Sequence, residues 1–369
     1  MDMSFYMPTR IITGKGCIEK NVSLFTQYGK KCLIVTGKTS AKKSGALDDV
    51  KNALSSVSIS YNIYDSIEQN PSYKSCLEAS EMAKSFGAQF IIGIGGGSVL
   101  DASKAVAVLT ACNNIGEDAL FSMDWDAKPL PIIAVGTTSG TGSEVTPVAV
   151  ITNSKGLKKS FKSDDAYPCL SFGDASYTMS LSTEFTRSTA LDALCHCVEA
   201  YFNRTTNDIC RTFAVKGVKI LIDMLKKTGI YEASSLSFED REALYCASIY
   251  GGLAISVSGT CFPHGLGYFL SEQYNIPHGN ACAVYLPSFI QHNIQVATED
   301  AREFFSQIGT NSDELISIVN SNLPKIDVKL SEEKLRELLP RFIDHKNLLK
   351  CYGNVDVKMA EKILRKLFM

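Results

Sequence analysis

A chain of 369 residues exceeds the roughly 100–200 residues usual for one domain, and two domains are expected. Its 37 basic and 39 acidic residues leave a formal charge of −2 without a long run of either sign, which argues against a nucleic-acid or anionic-membrane surface. The segment Met1–Arg10 lacks the basic start and apolar stretch of a secretory signal, and no run of about 18 apolar residues occurs that would cross a bilayer, so the cytosol is the expected location.

In chain order, the first half alternates short β-rich runs with helical stretches. Ser4–Thr13 is a β-rich opening, Cys32–Thr36 a buried strand and Ala41–Ser55 a helix. A strand over Ile59–Tyr64 and a helix over Tyr73–Phe86 follow. Phe90–Ile94 is a third strand, running into Gly95-Gly96-Gly97-Ser98 and a helix from about Val99 to Thr110. Pro131–Val135 precedes a second small-residue loop, Gly136-Thr137-Thr138-Ser139-Gly140-Thr141-Gly142-Ser143-Glu144, and Leu170–Phe172 reads as a last strand. Such alternation implies a mainly parallel sheet with helices on both faces.

After about Ser180 helical periodicity takes over, at Ser188–Phe202, Asp208–Lys227, Asp240–Ile255, Ser288–Val296, Asp313–Ser321, Ser331–Leu338 and Val357–Phe368. The expected organisation is an α/β dinucleotide-binding domain over residues 1–178 and a helical domain over 179–369. Twelve cysteines are scattered without a Cys-x-x-Cys, most in apolar runs such as Lys31-Cys32-Leu33-Ile34-Val35, and are expected to be reduced core thiols.

Gly95-Gly96-Gly97-Ser98 lies where a strand hands over to a helix, where glycines let backbone N–H groups approach a phosphate at the positive end of the helix dipole. Alone, this is equally a structural turn. The second loop adds hydroxyl and backbone donors at the same edge of the sheet, the edge where open parallel sheets bind ligands. Together they favour a nucleotide or dinucleotide. An NAD-selective site usually carries an acidic residue for the ribose 2′-hydroxyl. Here the position after the first strand is Gly37, with Lys38, Ser40, Lys42 and Lys43 nearby, which suits a 2′-phosphate and favours NADP(H); the alternative is a solvated helix start.

The chain holds only five histidines, and three of them join Asp192 in a recognisable pattern. Asp192 and His196 are i and i+4 on one helix, so both project from one face. His264 and His278 sit in matching frames, Pro263-His264-Gly265 and Pro277-His278-Gly279, as expected of element ends. On their own, Asp192 and His196 would read as a local hydrogen bond. With His264 and His278 they form a carboxylate-plus-imidazole set that accepts Fe²⁺ or Zn²⁺. Cys195 and Cys197 flank His196 and should point away from its face, while His292 and His345 lie in ordinary polar contexts.

With both loops and all four candidate ligands in view, the chain resembles the iron-containing (group III) alcohol dehydrogenase family over nearly its full length. The resemblance runs through Phe5-Tyr6-Met7-Pro8-Thr9-Arg10-Ile11-Ile12-Thr13-Gly14-Lys15-Gly16, Glu68-Gln69-Asn70-Pro71, Gly95-Gly96-Gly97-Ser98-Val99-Leu100-Asp101 and Thr137-Thr138-Ser139-Gly140-Thr141-Gly142-Ser143-Glu144. It implies a Rossmann-like N-terminal domain, a helical metal-binding domain of dehydroquinate synthase-like architecture, and a cleft between them. It further implies Asp192, His196, His264 and His278 as metal ligands, Fe²⁺ before Zn²⁺. The cofactor pyrophosphate would rest on Gly95–Ser98, with Asn70, Asp101, Thr137, Thr138 and Thr141 near, and Lys159 matches a lysine that reaches the ribose. Gly at position 37 tends to accompany NADP(H) in the family. Many relatives carry a further histidine four residues after the third ligand; here Tyr268 stands there, which bears on proton handling and on substrate class.

The expected activity is metal-dependent interconversion of a primary alcohol and its aldehyde by hydride transfer. Alternatives are reduction of a small anionic aldehyde of phosphonate or oxo-acid type, a dehydroquinate-synthase-like lyase, or a non-catalytic metal or nucleotide sensor. The lyase typically uses three ligands rather than four. A homodimer is implied by analogy, the opening strand offering an edge.

Overall fold

The computed structural model describes residues 3–113, 115–230 and 235–369. Their contacts form two compact units. One holds Met7–Leu181 with Ser237–Tyr245, and the other holds the segment ending at Tyr6 with Ser182–Leu236 and Cys246–Met369. The sequence reading divides the chain once, after residue 178; the contacts divide it after Leu181 and exchange two short segments, for which local periodicity carries no signal.

Among the described residues of the first unit, the strands are β1 (Arg10–Thr13), β2 (Lys31–Thr36), β3 (Ser60–Tyr64), β4 (Phe90–Gly95), β5 (Ile132–Gly136), β6 (Val148–Thr152), β7 (Lys158–Lys162) and β8 (Leu170–Gly173). Six form a sheet in the order β1-β8-β5-β4-β2-β3, with every pairing parallel. Alternation sends Leu33 and Val35 of β2 to one face and Cys32 and Ile34 to the other, each into its own apolar cluster. Burial on both faces explains why β4 is buried at all six positions and reads as an unbroken apolar run.

The helices of this unit are α1 (Ser40–Lys43), α2 (Ala46–Ser56), α3 (Tyr73–Phe86), α4 (Gly97–Ala111) and α5 (Glu117–Ser122). The expected helix over Ala41–Ser55 is broken, because Gly45 turns left-handed at φ 87° and opens α2 separately. Helix α3 has the predicted bounds: the Ser72 hydroxyl accepts the Ser75 N–H at its start, and Gly87 closes it at φ 72°. The antiparallel β6–β7 hairpin is absent from the sequence reading, although its β-branched Val148-Ala149-Val150-Ile151-Thr152 run and Gly156 (φ 75°) carried the signal.

Thr36 pairs with Ile94, and Gly95 pairs with Gly136, so the carboxyl ends of β2, β4 and β5 lie side by side. From β2 the chain goes outward to β3 and then returns to β4 on the other side of β2, the reversal at which such sheets bind ligands.

The remaining helices are α6 (Thr183–Tyr201), α7 (Asp208–Ile230), α8 (Phe238–Ser258), α9 (Phe262–Tyr274), α10 (His278–Ala283), α11 (Leu286–Val296), α12 (Thr298–Ile308), α13 (Ser312–Asn322), α14 (Glu332–Leu338), α15 (Lys346–Leu349) and α16 (Val357–Phe368). Except for the start of α8, these make up the second unit. Helices α9 and α10 are not among the predicted elements. Their glycines weaken the helical pattern, yet close packing requires them, since a Cβ on Gly267 would lie 2.8 Å from the Ala281 carbonyl oxygen. No single helix among the described residues is long and apolar enough to cross a membrane. All twelve cysteines are free thiols, most of them buried.

One ion pair lies inside the sheet unit. Lys104 is fully buried on α4, and its ammonium donates to Ser143 Oγ at 2.7 Å, the Val148 carbonyl at 2.8 Å and Thr146 Oγ1 at 3.3 Å, with Asp101 Oδ1 at 3.6 Å. Replacing Lys104 with Met strands those acceptors and the Asp101 carboxylate. We expect a loss of about 3 kcal/mol in unfolding free energy, read from urea denaturation at constant m-value.

Candidate functional site

In the helical unit, α6 is buried along its length from Ala190 to Tyr201, so its polar residues must find partners inside. Asp192 and His196 face the same way on it, with Asp192 Oδ1 3.8 Å from His196 Nε2. His264 occupies the first turn of α9 behind Pro263, and His278 opens α10 behind Pro277. Their Nε2 atoms lie 3.5 Å and 4.0 Å from the same Asp192 oxygen. The four residues expected to meet do meet. A Cβ on Gly279 would overlap the Ser188 carbonyl oxygen and lie 3.0 Å from Asp192 Cβ, so only glycine lets α10 approach α6 this closely. The Pro-His-Gly frame thus has a packing cause.

Asp192 Oδ1 and His264 Nε2 are buried and have no hydrogen-bond partner, a costly state for polar atoms in a protein interior. Four donors bound to one cation at about 2.0–2.2 Å in a tetrahedron lie about 3.3–3.6 Å apart. The observed 3.5–4.0 Å from Asp192 Oδ1 to the imidazoles is close to that spacing, so the donor set fits a divalent ion. Burial alone would raise the Asp192 carboxyl, but the imidazoles of His196, His264 and His278 outweigh it and hold that group well below the usual carboxylate range.

Sequence reasoning missed Glu199. It is fully buried on α6, three residues after His196 and seven after Asp192, and that i, i+4, i+7 spacing was the available signal. Its Oε1 lies 2.5 Å from His264 Nδ1, and its Oε2 accepts the Cys261 N–H at 2.6 Å. A carboxylate there holds a proton on Nδ1, so that Nε2 is the atom that would turn to a metal, the outer support usual for a metal-binding imidazole.

The other candidates separate clearly. Tyr268 stacks parallel to His278, ring centroids 5.9 Å apart. Cys197 points at α7, where a Cβ on Gly217 would lie 2.5 Å from its sulfur, as expected of a residue flanking His196. His292 donates to the Tyr352 carbonyl at 2.7 Å, and His345 caps α15 by accepting from the Asn347 N–H.

In the sheet unit the two small-residue loops pack against each other. A Cβ on Gly96 would lie 2.9 Å from Thr138, and one on Gly97 would lie 2.5 Å from Thr141. A Cβ on Gly95 would meet Val99 at 2.7 Å. Helix α4 starts without a side-chain cap, Thr137 Oγ1 is buried without a partner, and the Asn70 N–H, held at φ 59°, reaches Ser98 Oγ at 3.4 Å. These donors and the bare helix start fit a pyrophosphate. The second loop is anchored from below, since Glu144 accepts from the Tyr245 hydroxyl at 2.9 Å and its carbonyl accepts from Ser171 Oγ at 2.6 Å.

Three residues of the cofactor expectation have their surroundings fixed by the fold. Asp101 does not offer a free carboxylate: Oδ1 accepts from Ser143 Oγ and Oδ2 from the Val150 N–H, so it shapes the loop from inside. Lys42 is paired with Asp65 at 2.9 Å, while Lys38, Thr39, Ser40 and Lys43 are exposed near buried Gly37. Lys159 is exposed on β7 with its ammonium 5.5 Å from the Phe121 ring centroid, on the hairpin whose Thr152 donates to the Asn70 carbonyl.

Residues 8–175 match the family model described as iron-containing alcohol dehydrogenase, and residues 186–360 match that of the Fe-containing alcohol dehydrogenase family, C-terminal. The chain is 29% identical to an NADPH-dependent butanol dehydrogenase of Clostridium saccharobutylicum, over 86% of this chain and 82% of that one. An iron-containing alcohol dehydrogenase structure from Thermotoga maritima superposes with a TM-score of 0.91 at 33% identity, covering 99% of each chain. The sulfoacetaldehyde reductase of Bifidobacterium kashiwanohense, solved in complex with NAD⁺, superposes with a TM-score of 0.88 at 26% identity, covering 100% of this chain and 99% of that one.

Replacing Glu199 with Gln keeps the volume but removes the charge that fixes the His264 tautomer. Affinity for Zn²⁺, measured by chelator competition, should fall by about 10–100-fold, and an unchanged affinity would remove Glu199 from the site.

Proposed function

This chain belongs to the iron-containing alcohol dehydrogenase family, and on that footing we propose that it interconverts a primary alcohol and its aldehyde using NADP(H) and Fe²⁺ or Zn²⁺ held by Asp192, His196, His264 and His278. Family membership makes it an oxidoreductase of the alcohol/aldehyde class that uses a divalent metal and a nicotinamide cofactor. It also sets aside the lyase alternative. The observation that carries the site assignment is the convergence of three imidazoles on one carboxylate oxygen, with two of the buried donor atoms unpartnered.

When bound, the cation supplies Lewis acidity toward the substrate oxygen, and the nicotinamide supplies or accepts the hydride. The chain's own residues do the positioning. Glu199 orients His264, Gly279 lets His278 reach Asp192, and Tyr268 buttresses the plane of His278. Gly95, Gly96, Gly97, Ser98, Thr137, Thr138 and Thr141 form the phosphate cradle, with Asn70 fixing Ser98. Such fixed groups lower the barrier by holding reactants in near-attack geometry.

The preference for NADP(H) is supported by Gly37, which places no carboxylate at the end of β2, and by Lys38 exposed beside it. A second substrate class, small anionic aldehydes, is supported by the likeness to the sulfoacetaldehyde reductase. We also propose a homodimer joined through β1, which lies at the open edge of the sheet.

The metal-loaded protein should oxidise NADPH when given short aldehydes, and comparing neutral with phosphonate- or oxo-acid-type aldehydes ranks the two substrate classes. His264→Ala should lose the cation and turnover while still binding NADPH in a fluorescence titration. Turnover by a demonstrably metal-free His264→Ala protein would refute the assignment. Lys38→Ala should lower the NADPH-to-NADH ratio of kcat/KM by about tenfold, the loss of one charge-assisted hydrogen bond of about 1.5 kcal/mol. An unchanged ratio would remove Lys38 as the 2′-phosphate contact.

A further inference from the structure

The end of β2 carries no carboxylate, yet one stands a strand away. Asp65 directly follows β3, which pairs parallel with β2 so that Val35 faces Tyr64 and Asp65 comes level with Thr36. Its Oδ2 accepts from the Lys42 ammonium at 2.9 Å. That hydrogen bond, with the charge of Lys38 behind it, holds the Asp65 carboxyl below the usual carboxylate range. The Asp65 side chain is still 43% exposed, so a ligand can reach it.

Two further observations separate Asp65 from an ordinary surface carboxylate. The backbone after β3 closes on Gly37: the Ile67 N–H donates to the Thr36 carbonyl at 3.2 Å, and a Cβ on Gly37 would lie 3.1 Å from the Ile67 carbonyl oxygen. The same loop ends at Asn70, whose N–H reaches Ser98 Oγ in the phosphate cradle at 3.4 Å. It therefore runs from beside Gly37 to the cradle, across the ends of β3, β2 and β4, which are neighbours in that order. Glu68, the other carboxylate on this loop, is turned to the start of α3, where it accepts the Ser72 N–H at 3.0 Å.

We propose that Asp65 is a cofactor-selectivity residue: its carboxylate accepts the adenosine ribose 2′-hydroxyl of NAD(H), and its partner Lys42 bridges it to the 2′-phosphate of NADP(H), so that one site takes both cofactors. This rests on the dinucleotide reading above. With NAD(H), Asp65 serves from β3 the purpose that a carboxylate after β2 serves in an NAD-selective site. With NADP(H), an unpaired Asp65 would repel the phosphate. The Lys42 ammonium has three donors, enough to hold Asp65 and a phosphate oxygen together, and Lys38 adds a second positive charge.

Displacement of fluorescent NADPH from the full-length protein tests this without recourse to turnover. The competitors are adenosine 5′-monophosphate, its 2′-deoxy counterpart and adenosine 2′,5′-bisphosphate. Wild type should bind the ribose monophosphate about fivefold more tightly than the deoxyribose one, as one exposed hydrogen bond to a carboxylate contributes. Asp65→Ala should erase that difference. Lys42→Ala should keep it and weaken the bisphosphate by about tenfold. Both residues are partly exposed and their pair adds little to stability, so the variants should fold. Equal affinity for the two monophosphates in wild type, or a preference that survives Asp65→Ala, overturns the role of Asp65. Unchanged bisphosphate affinity in Lys42→Ala overturns the bridge. Failure of NADPH itself to bind overturns the dinucleotide reading on which both rest.

Discussion

A buried carboxylate oxygen facing three imidazole nitrogens at 3.5–4.0 Å is the constraint on which the helical unit depends. Polar atoms without partners are costly in an interior, and Asp192 Oδ1 and His264 Nε2 have none. A cation held there would supply the missing interaction for both. The same demand reaches outward to Glu199, whose second oxygen ties the start of α9 through the Cys261 N–H and so couples the imidazole's orientation to the position of its helix.

Glycine packing makes this convergence possible. Gly279 lets α10 lie against α6, and Gly267 lets α9 lie against α10, so the helices carrying His264, His278 and Asp192 approach more closely than side chains would permit. The same device operates in the sheet unit, where Gly96 and Gly97 accommodate Thr138 and Thr141. In each unit the candidate site lies where backbones approach closely, and there small residues serve both packing and ligand access.

The interior of the sheet unit is organised around its own polar network. Burial pushes the Asp101 carboxyl up and the Lys104 ammonium down, and hydrogen bonds to Ser143, Thr146 and the β6 backbone hold the pair in place. That network fixes the loop after β5 from inside, while Glu144 and Tyr245 fix it from below. Asp101 therefore gives a phosphate no free negative charge to oppose it, and the cradle presents glycines, hydroxyls and a helix start.

The sequence by itself determined the parallel α/β half, because strands buried on both faces must be continuous apolar runs and crossover helices must be amphipathic; β2, β4 and α3 follow those patterns within a residue. It also singled out Asp192, His196, His264 and His278, which the fold brings to one carboxylate oxygen, and both loops, since few histidines and a helical i, i+4 pair leave little room for coincidence. Tertiary structure alone decided what the rest do. Asp101 and Lys42 are charged in the sequence but paired in the fold, and Glu199 joins the metal-directed group only because α9 brings His264 against it from across 65 residues. Helices α9 and α10 escaped detection for the same reason, since their glycines lower local propensity while enabling the close contacts that stabilise them. Local pattern records propensity and burial, whereas partnership between charges and donors is set by contacts across tens of residues.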